Sequence, residues 1–334
     1  MVNLLDSFNR LKSAKILVLG DFMLDTYTMG KVERISPEAP VPILHVQKSE
    51  SLPGGAGNVA LNLQALGAEV IVVGRVGDDK EGTSLRALLE KEGIDTSGIF
   101  LQKGIRTPSK NRLVAGGQQL IRIDQECFSN LSEKIEREIM THLISMAHEV
   151  DVIAISDYAK GFLSKDLLEM VIDFAKESKI PTIVDPKGDD FTKYRGATLI
   201  KPNYKEAVFA SKLSSEATLD EMARSLFEQT AAEMLMITRS EEGITLFEGS
   251  EKRHDFPLKN ARKVKDVTGA GDTVLAMTTM VIASGLDLKE GLELSNVAAG
   301  IAVEESGCAR VSLAQIEERL LAVKQVNSEI LHRF

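Results

Sequence analysis

The chain of 334 residues contains no tryptophan and only two cysteines, Cys127 and Cys308. Two thiols are too few for a disulfide framework or a cysteine-based zinc site, so each is interpreted as a small buried or surface thiol. Long apolar runs are also absent: no stretch reaches the ~18 residues that cross a membrane, and charges interrupt the N-terminal segment, unlike in a signal peptide. The sequence therefore predicts a cytoplasmic protein without a membrane partner.

An excess of positive charge is lacking as well, since 40 lysines and arginines face 49 aspartates and glutamates, for a formal net charge of −9. An extended nucleic-acid surface needs a clustered basic excess, so nucleic acid is excluded as a partner. A small anionic substrate needs only two or three local cations and stays open. Hydrophobic residues at 43% and charged residues at 27% are typical of a globular protein and argue against disorder.

Apolar runs alternate with amphipathic segments of helix length along most of the chain. Strands are predicted over Lys15–Leu19, Val70–Val73, Val152–Ile155, Thr182–Val184, Thr198–Ile200 and Met234–Ile237. Helices are predicted over Gly57–Leu66, Gly82–Glu92, Glu133–Ala147, Lys165–Lys179 and Leu219–Thr230. Several strands are apolar almost throughout, as are parallel strands covered on both faces. The pattern predicts an α/β fold with a doubly wound, mostly parallel sheet whose ligands bind at the carboxyl ends of the strands.

Two segments, at about residues 27–47 and 106–124, interrupt this alternation. The first contains three prolines and a strand pattern over Val41–Val46. The second predicts strands over Lys110–Ala115 and Gln118–Asp124 around the turn Gly116-Gly117. We interpret both as a small β lid over the carboxyl edge of the sheet, and because another subunit often seals such edge strands, we expect a homodimer through the lid. The alternative is a pair of loops without a role of their own.

A glycine-rich string directly precedes the helical run Val274–Ala283. It reads Asp266-Val267-Thr268-Gly269-Ala270-Gly271-Asp272-Thr273. Glycines allow close backbone approach, and the free N–H groups of the first helical turn suit an anion. Asp272 beside that site fits a base that takes the proton of a hydroxyl attacking phosphorus, with the N–H groups stabilising the transferred phosphoryl group. The alternative for Asp272 is a plain helix N-cap.

A second glycine-rich string, Pro53-Gly54-Gly55-Ala56-Gly57-Asn58-Val59-Ala60, also enters a predicted helix. From there Asn58 would project toward a bound polyol. The string lacks the Gly-Lys-Ser/Thr ending of a Walker A loop, and it neither contains Gly-x-Gly-x-x-Gly nor follows the first strand. A common phosphate loop is thus excluded and a dinucleotide site is disfavoured, while a tight turn with a purely structural role is the alternative.

Polar side chains follow the ends of several other strands. Asp21 and Asp25 lie directly after the first strand, where two carboxylates can accept hydrogen bonds from sugar hydroxyls, although a surface turn with one capping aspartate would look similar. Asn203 and Glu206 lie three residues apart at a predicted helix start and could orient waters around Mg²⁺. Lys160 and Lys187 offer positive charge for phosphates, unless they are ordinary solvated surface charges.

Together the two glycine-rich strings resemble the signatures of the ribokinase-like (PfkB) carbohydrate kinases, over about residues 12–325. The resemblance implies a single ribokinase-like domain over residues 1–334, ATP, Mg²⁺ and Asp272 as base, and it allows a monovalent cation such as K⁺. It assigns the phosphoryl-transfer group to Gly269, Ala270, Gly271 and Asp272. It assigns the sugar to Asp21, Asp25, Gly54, Gly55, Asn58 and Asp157. It assigns the nucleotide to Lys187, Asn203, Tyr204, Lys205, Glu206, Thr238, Asp266 and Thr268.

Within that family, further strings resemble the kinases of D-glycero-β-D-manno-heptose 7-phosphate, whose 1,7-bisphosphate product leads to ADP-heptose for the lipopolysaccharide inner core. These strings are Gly20–Asp25, Arg34–Pro42, Gln118–Arg122, Ser156–Gly161 and Asp185–Gly188. For the 7-phosphate the resemblance suggests Arg34, Lys160 and Arg122. The stretch Glu304–Arg310, which borders the nucleotide and monovalent-cation region, departs from the usual pattern.

The bifunctional form of that kinase carries a nucleotidyltransferase domain of ~130 residues after the kinase. This sequence ends at Phe334 without a His-x-Gly-His-type motif, so we expect a stand-alone kinase and a separate polypeptide for nucleotidyl transfer. The alternatives are another sugar kinase (a ribokinase, fructokinase or phosphofructokinase) and a non-catalytic sugar- or nucleotide-binding regulator. An intact Asp272 disfavours the regulator, because a pure binding module needs no base.

Overall fold

The computed structural model describes residues 4–126, 128–258, 264–305 and 307–331, so Cys127 and Ser306 lie outside the described part of the chain. The strands are β1 (Lys15–Gly20), β2 (Phe22–Ile35), β3 (Pro42–Gly55), β4 (Glu69–Gly77), β5 (Asp95–Gln102), β6 (Ser109–Ala115), β7 (Gln118–Gln125), β8 (Val152–Ser156), β9 (Thr182–Asp185), β10 (Leu199–Ile200), β11 (Met234–Thr238), β12 (Ile244–Glu248) and β13 (Lys252–Phe256). The helices are α1 (Leu4–Asn9), α2 (Ala56–Ala65), α3 (Lys80–Lys91), α4 (Glu133–Met146), α5 (Lys165–Glu177), α6 (Tyr204–Ser211), α7 (Leu219–Thr230), α8 (Ala270–Ala283), α9 (Leu288–Ala302) and α10 (Leu313–Leu331).

The larger of two sheets has the strand order β13-β12-β11-β10-β9-β8-β1-β4-β5. Neighbouring strands are parallel from β5 to β11, and β12 and β13 extend the sheet antiparallel. Strand β1 shows why the predicted strands are apolar throughout: Ile16 and Val18 pack into one hydrophobic core, whereas Leu17 and Leu19 pack into the other. Helices cover both faces, which confirms the predicted doubly wound α/β sheet.

The smaller sheet, β3-β2-β6-β7, is the lid. Its second hairpin lies where the sequence predicts it. The first is longer than the predicted segment 27–47, because β2 begins at Phe22, directly after β1, and β3 runs to Gly55. Antiparallel pairing from Phe22↔Gly55 outward continues through residues interpreted from sequence as turns. The string Gly20–Asp25 is therefore mostly lid strand, and Asp25 lies at the base of the lid.

The two faces of the lid differ in chemistry. Residues paired across neighbouring strands share a face, so one face carries the rows Asp25–Lys110–Asp124 and Tyr27–Arg112–Arg122. The opposite face carries the rows Thr26–Asn111–Ile123 and Thr28–Leu113–Ile121 and also Val46, which pairs with Gly30. Val46 is 60% exposed, Ile121 56% and Ile123 54%. One lid face is charged and the other is apolar and open to solvent.

Among the described residues, none of the helices combines the length and apolar character needed to cross a bilayer.

Candidate active site

The carboxyl ends of the parallel strands and the N-termini of α6 and α8 surround one cavity of about 150 Å³. Residues predicted from the sequence make up most of its lining: Asp157, Lys187, Asn203, Glu206, Thr238, Gly269, Gly271 and Asp272. Three further lining residues with polar side chains were not assigned roles from the sequence: Tyr158, Asp185 and Lys201. The topology thus brings residues that lie far apart in the sequence into one cleft.

Asp272 is not the N-cap of α8. Gly269 occupies the cap position in a left-handed conformation (φ 79°), and Asp272 lies in the first turn with its side chain only 6% exposed. Its Oδ2 accepts a hydrogen bond from Asn58 Nδ2 at 2.7 Å, and its Oδ1 accepts one from the Tyr158 hydroxyl at 2.8 Å. Burial raises the pKa of Asp272, while the bonds from Asn58 and Tyr158 and the charge of Lys201 lower it. The capping alternative is therefore excluded by position.

The N-terminus of α8 carries the backbone donors expected from the glycine-rich string. The Ala270 N–H already donates to the Val267 carbonyl at 3.3 Å. The N–H group of Gly271 is therefore the next one in this turn that could donate to a bound anion. A methyl group at Gly269 would lie 2.9 Å from Asn58 Nδ2, which explains why glycine is needed beside the asparagine. Lys201 Nζ lies 3.9 Å from the corresponding point at Gly271 and adds a full positive charge to this helix end.

Lys201 and Asp185 form a buried ion pair in the cavity wall. Lys201 Nζ lies 2.9 Å from Asp185 Oδ2, and the lysine side chain is 3% exposed. Burial raises the pKa of Asp185 to about 6, against the opposing charge of Lys201. A buried cation beside an anion-binding helix end can stabilise charge on a transferred phosphoryl group.

The carboxylates after β1 have structural partners. Asp21 Oδ2 accepts hydrogen bonds from the backbone N–H groups of Tyr158 and Lys160, both at 3.0 Å, and thereby fixes the loop after β8. Asp25 Oδ1 is 2.9 Å from Arg112 Nη1, and the Arg112 guanidinium lies 5.1 Å from the centre of the Tyr27 ring. Asp25 thus lies paired with Arg112 at the base of the lid, whereas Asp21 mainly holds a loop.

The glycines of the second string allow close packing at this base. A methyl group at Gly54 would lie 2.3 Å from Asp25 Oδ2, and one at Gly55 would lie 2.5 Å from the Asp21 carbonyl. Asn58, expected to face a polyol, uses its amide nitrogen for Asp272 instead, and Asn62 Nδ2 donates to its carbonyl at 2.9 Å. The string therefore positions the Asp272 carboxylate through Asn58.

Asp157, predicted to contact the sugar, is held by its own neighbours. Its Oδ2 pairs with Lys193 Nζ at 2.6 Å and accepts the Tyr194 hydroxyl at 2.7 Å, and its Oδ1 accepts the Ala159 N–H at 2.7 Å. The side chain is 1% exposed. Its direct contacts are thus with the protein, and it shapes the loop that carries Tyr158.

At the other end of the cavity, Asn203 and Glu206 form a capping box at the start of α6. Asn203 Oδ1 accepts the Glu206 N–H at 2.9 Å, and Glu206 Oε2 accepts the Asn203 N–H at 2.9 Å. Glu206 Oε1 lies 2.8 Å from Lys187 Nζ. Tyr204 and Lys205 are exposed in the same turn, and the backbone of Thr238 bridges to Asn203.

The oxygen donors at this end suit a hard cation such as Mg²⁺. Both carboxylate oxygens of Glu206 already accept one bond each, so direct ligation would disrupt the capping box, whereas contact through water would leave it intact. Within the described residues, no cluster of three or more histidine, cysteine, aspartate or glutamate side chains forms a dedicated metal cage. The residues therefore fit a cation held mainly by water and phosphate.

Asp266 and Thr268, predicted at the nucleotide, organise the loop before α8. Asp266 Oδ1 accepts the Thr268 hydroxyl at 2.7 Å, and its Oδ2 accepts the Gly307 N–H at 2.9 Å. The hydrogen bond from Gly307 holds the segment around Cys308 beside the site. Burial, followed by the charges of Asp25 and Asp272, raises the pKa of the Cys308 thiol to about 12, which agrees with an inert small thiol.

The three cations suggested for a sugar phosphate do not converge within the chain. Arg34 is exposed and lies about 30 Å beyond Asp25 along β2 at ~3.3 Å per residue. Arg122 lies on the charged lid face but pairs with Asp124 at 2.7 Å. Lys160 lies near Asp21 and pairs with Glu126 at 2.7 Å. The Arg34 assignment stays a prediction, since within the single chain a long strand carries this residue away from the cleft.

The sequence did not single out two other arginines near Lys160. A small cavity beside Asp21 is lined by Arg75, Arg106 and Lys160, among others. Arg75 is buried and donates to the Lys160 carbonyl at 3.1 Å, which fixes the lysine, whereas Arg106 is exposed. Arg75 closely follows the predicted strand Val70–Val73, and Arg106 begins the predicted lid segment, but neither was assigned a role. Only the fold brings these cations together.

Comparisons with known proteins agree with the signatures. Residues 13–315 match the model of the pfkB family carbohydrate kinases. Bifunctional protein HldE of Trichlorobacter lovleyi is 45% identical over 311 residues, which cover 92% of this chain and 63% of that protein. HldE of Geobacter sulfurreducens is 47% identical over 303 residues, which cover 90% of this chain and 61% of that protein. The chain thus spans somewhat less than two thirds of these relatives.

Solved structures share the fold at low identity. Phosphofructokinase-2 from Escherichia coli in complex with potassium superposes with a TM-score of 0.74 at 19% identity, over 93% of this chain and 99% of that one. Arabidopsis thaliana ribokinase complexed with ribose and ATP superposes with a TM-score of 0.69 at 18% identity, over 93% and 98%. Together with the family match over residues 13–315, the fold and the cleft show that this chain belongs to the PfkB family of carbohydrate kinases and is a ribokinase-like phosphotransferase.

Proposed function

We propose that the chain transfers the γ-phosphoryl group of ATP to the anomeric hydroxyl of D-glycero-β-D-manno-heptose 7-phosphate, giving the 1,7-bisphosphate. The resemblance of five sequence strings to heptose-phosphate kinases supports this substrate, as does 45% identity to an HldE protein over 92% of the chain. The observation that carries the reaction type is Asp272, buried at the anion-binding end of α8 and lining the large cavity. The product would serve the synthesis of ADP-heptose for lipopolysaccharide.

In this mechanism Asp272 accepts the proton of the attacking hydroxyl. Asn58 and Tyr158 hold its carboxylate in place, and the N–H groups at the start of α8 together with Lys201 stabilise the phosphoryl oxygens. Mg²⁺, when bound, would neutralise charge on the ATP phosphates, with Asn203 and Glu206 holding it through water. Lys187 lies at the same end and suits the nucleotide phosphates.

The sugar would lie between the base of the lid and Asp272. Asp25 is the carboxylate best placed to accept its hydroxyl groups, with Arg112 fixing the acidic side chain. For the 7-phosphate we propose Lys160 and Arg106 in place of Arg34, because both line the cavity beside Asp21. Lys160 would exchange Glu126 for the phosphate, since a dianion is a stronger partner for an ammonium than one carboxylate.

The apolar face of the lid supports a homodimer. Exposed Val46, Ile121 and Ile123 form a surface that a second copy of the lid would cover, which would also protect the edge strands. A cytoplasmic location and optional K⁺ dependence belong to the same proposal. The expectation of a separate nucleotidyltransferase gains no support from the comparisons, because the similar relatives are named as bifunctional.

The test is a coupled ADP-release assay with heptose 7-phosphate, unphosphorylated heptose, fructose 6-phosphate, fructose and ribose. We expect the highest kcat/KM for heptose 7-phosphate and a product that loses one phosphate under mild acid, as anomeric phosphates do. A higher kcat/KM for any of the other sugars would reject the heptose assignment and leave the kinase assignment standing. ATP binding without turnover of any sugar would favour the regulator.

A further inference from the structure

Both oxygens of the Asp272 carboxylate are held by neutral donors from different elements. Asn58 in α2 donates to Oδ2 at 2.7 Å, and Tyr158 in the loop after β8 donates to Oδ1 at 2.8 Å. Loss of either bond would free the carboxylate to rotate and would leave it with less compensation for its burial. The tyrosine differs from the asparagine because it lies outside the two glycine-rich signatures.

We propose that Tyr158 is a positioning residue that holds Asp272 in its reactive orientation and keeps it ionised at the pH at which the kinase works. This inference rests on the role of Asp272 as base in the proposed function, but not on which sugar is the substrate. An O–H donor bonds more strongly to a carboxylate than to a carboxylic acid, so it favours the charged form.

The backbone of Tyr158 is fixed as firmly as its hydroxyl group. Its N–H donates to Asp21 Oδ2 at 3.0 Å, and the neighbouring Asp157 is tied to Lys193 and Tyr194. Asp21 therefore acts on Asp272 at one remove, through the loop that carries the tyrosine. This gives the Asp21 carboxylate, which is largely satisfied by backbone donors, a function within the cleft.

In this arrangement Tyr158 is a hydrogen-bond donor to Asp272 and does not act as a proton acceptor. Burial, followed by the negative charges of Asp272 and Asp185, raises its pKa well above 10. The hydroxyl group thus stays protonated at neutral pH and cannot replace Asp272 as base. Its effect on the reaction passes through the aspartate.

Several charged groups lie near Asp272 and, together with Tyr158, determine how readily its carboxyl group ionises. Burial has the largest effect and raises its pKa, and Asp25 from the base of the lid acts in the same direction. Asn58, Tyr158 and Lys201 lower it. Asp185 at the end of β9 and the Cys308 thiol also interact electrostatically with Asp272. Because burial disfavours the ionised carboxylate, each hydrogen bond or positive charge that lowers the pKa of Asp272 helps to keep it ionised.

The experiment compares the pH dependence of kcat/KM for the wild-type protein, Tyr158→Phe and Thr230→Val, with whichever sugar phosphate is turned over. We expect Tyr158→Phe to move the acid limb upward by about one pH unit, the usual size of one such contribution. Thr230→Val also removes a buried hydroxyl group, but this one donates to the Leu226 carbonyl in α7 and does not line the cavity. It should leave the acid limb in place.

A second variant acts in the opposite direction and keeps the hydroxyl group. Fluorinated tyrosine at position 158 has a more acidic hydroxyl group, donates more strongly, and should move the acid limb downward. Infrared difference spectra that subtract Asp272→Asn would follow the Asp272 carboxyl group directly, without reference to turnover. Equal loss of activity at every pH, with both the limb and the carboxyl titration unmoved, would overturn the proposal and make Tyr158 a packing residue.

Discussion

At the scale of single residues, the cleft combines one buried acid that must stay charged with one buried ion pair beside it. Asp272 relies on neutral donors and on Lys201, while Lys201 itself is compensated by Asp185 at 2.9 Å. Because Asp272 and Lys201 are buried and Asp185 is largely so, removing a single partner leaves another group without compensation. Single substitutions in this set should therefore have large effects, and those effects should differ in kind.

Asp272→Asn should reduce kcat by about 10²–10⁴-fold, because the amide keeps the size of the side chain but cannot accept a proton. ATP and sugar binding, measured by calorimetry, should change only a few-fold. Asp287→Asn is the matched control, since Asp287 caps α9 through the Lys289 N–H and does not line the cavity. Retention of more than half of the wild-type kcat by Asp272→Asn would show that another group is the base.

Lys201→Met should remove most phosphoryl transfer and also destabilise the fold. Breaking a buried pair leaves Asp185 uncompensated, which typically costs about 3–5 kcal/mol in the free energy of unfolding. The double variant Lys201→Met with Asp185→Asn should recover stability in a denaturant titration but not activity. Recovery of both would mean that the pair has a structural role only.

The pKa of Asp185, raised to about 6, makes a definite prediction for stability against pH. A raised folded-state pKa means that the folded protein binds the proton more tightly than the unfolded chain. The contribution of Asp185 is therefore greatest below about pH 4 and declines as the pH rises toward 6, by at most about 1.4 kcal/mol per pH unit. The difference between wild type and Asp185→Asn in unfolding free energy should fall over that window, and a constant difference would contradict the shift.

At the scale of elements, the start of α6 combines a structural and a proposed metal-binding role in Glu206. Glu206→Gln should raise the Mg²⁺ concentration that gives the half-maximal rate, because an amide is a poorer ligand for a hard cation. It should also weaken the capping box, as should the control Glu221→Gln in the Thr218–Glu221 capping box of α7.

Only the Glu206 variant should change the Mg²⁺ titration, measured at constant ATP. If both variants leave the titration unchanged while lowering the melting temperature alike, Glu206 belongs to the cap alone. If both change it, the effect comes from helix stability and not from a metal contact.

The elements that the sequence predicted best are those with the strongest periodicity. Apolar strands such as Val152–Ser156 lie between the two cores, so their composition alone predicts them. The glycines before α2 and α8 indicate where those helices begin. The lid strand β2 was missed at its start because Asp21 and Asp25 are typical of turns, and only pairing with β3 makes that segment extended. Long-range pairing leaves no local signal.

Residues of the site divide in the same way. Asp272 and Glu206 lie in contiguous motifs, so the sequence could identify them. Arg112 pairs with Asp25 at the base of the lid, and Arg106 lines the small cavity beside Asp21. The strand pattern around Arg112 predicts its conformation but assigns it no role, and Arg106 stands in no motif. Arg34 shows the converse case: its proline-rich setting is distinctive, yet within the single chain a strand of about 46 Å at ~3.3 Å per residue carries the segment away from the cleft, so its role stays a prediction.

At the scale of the whole molecule, the apolar lid face predicts the assembly state. The double variant Ile121→Glu with Ile123→Glu should convert a dimer to monomers in light-scattering measurements, because charges would replace residues more than half exposed in the single chain. Ile144→Glu is the control, since Ile144 is 57% exposed on α4, away from the lid. Dissociation by the control, or an unaffected dimer in the double variant, would place the interface elsewhere.

The continuity of β1 and β2 has a mechanical consequence for such an assembly. Phe22 is buried and fixes the base of the lid, so a rigid tilt would turn about that point. At ~3.3 Å per residue, Asp25 lies about 10 Å from this fulcrum and Ile35 about 43 Å, a lever ratio of roughly four to one. A displacement of about 4 Å at the tip would thus move Asp25 by about 1 Å, and the lid would convert coarse motion at its free end into fine adjustment over Asp272.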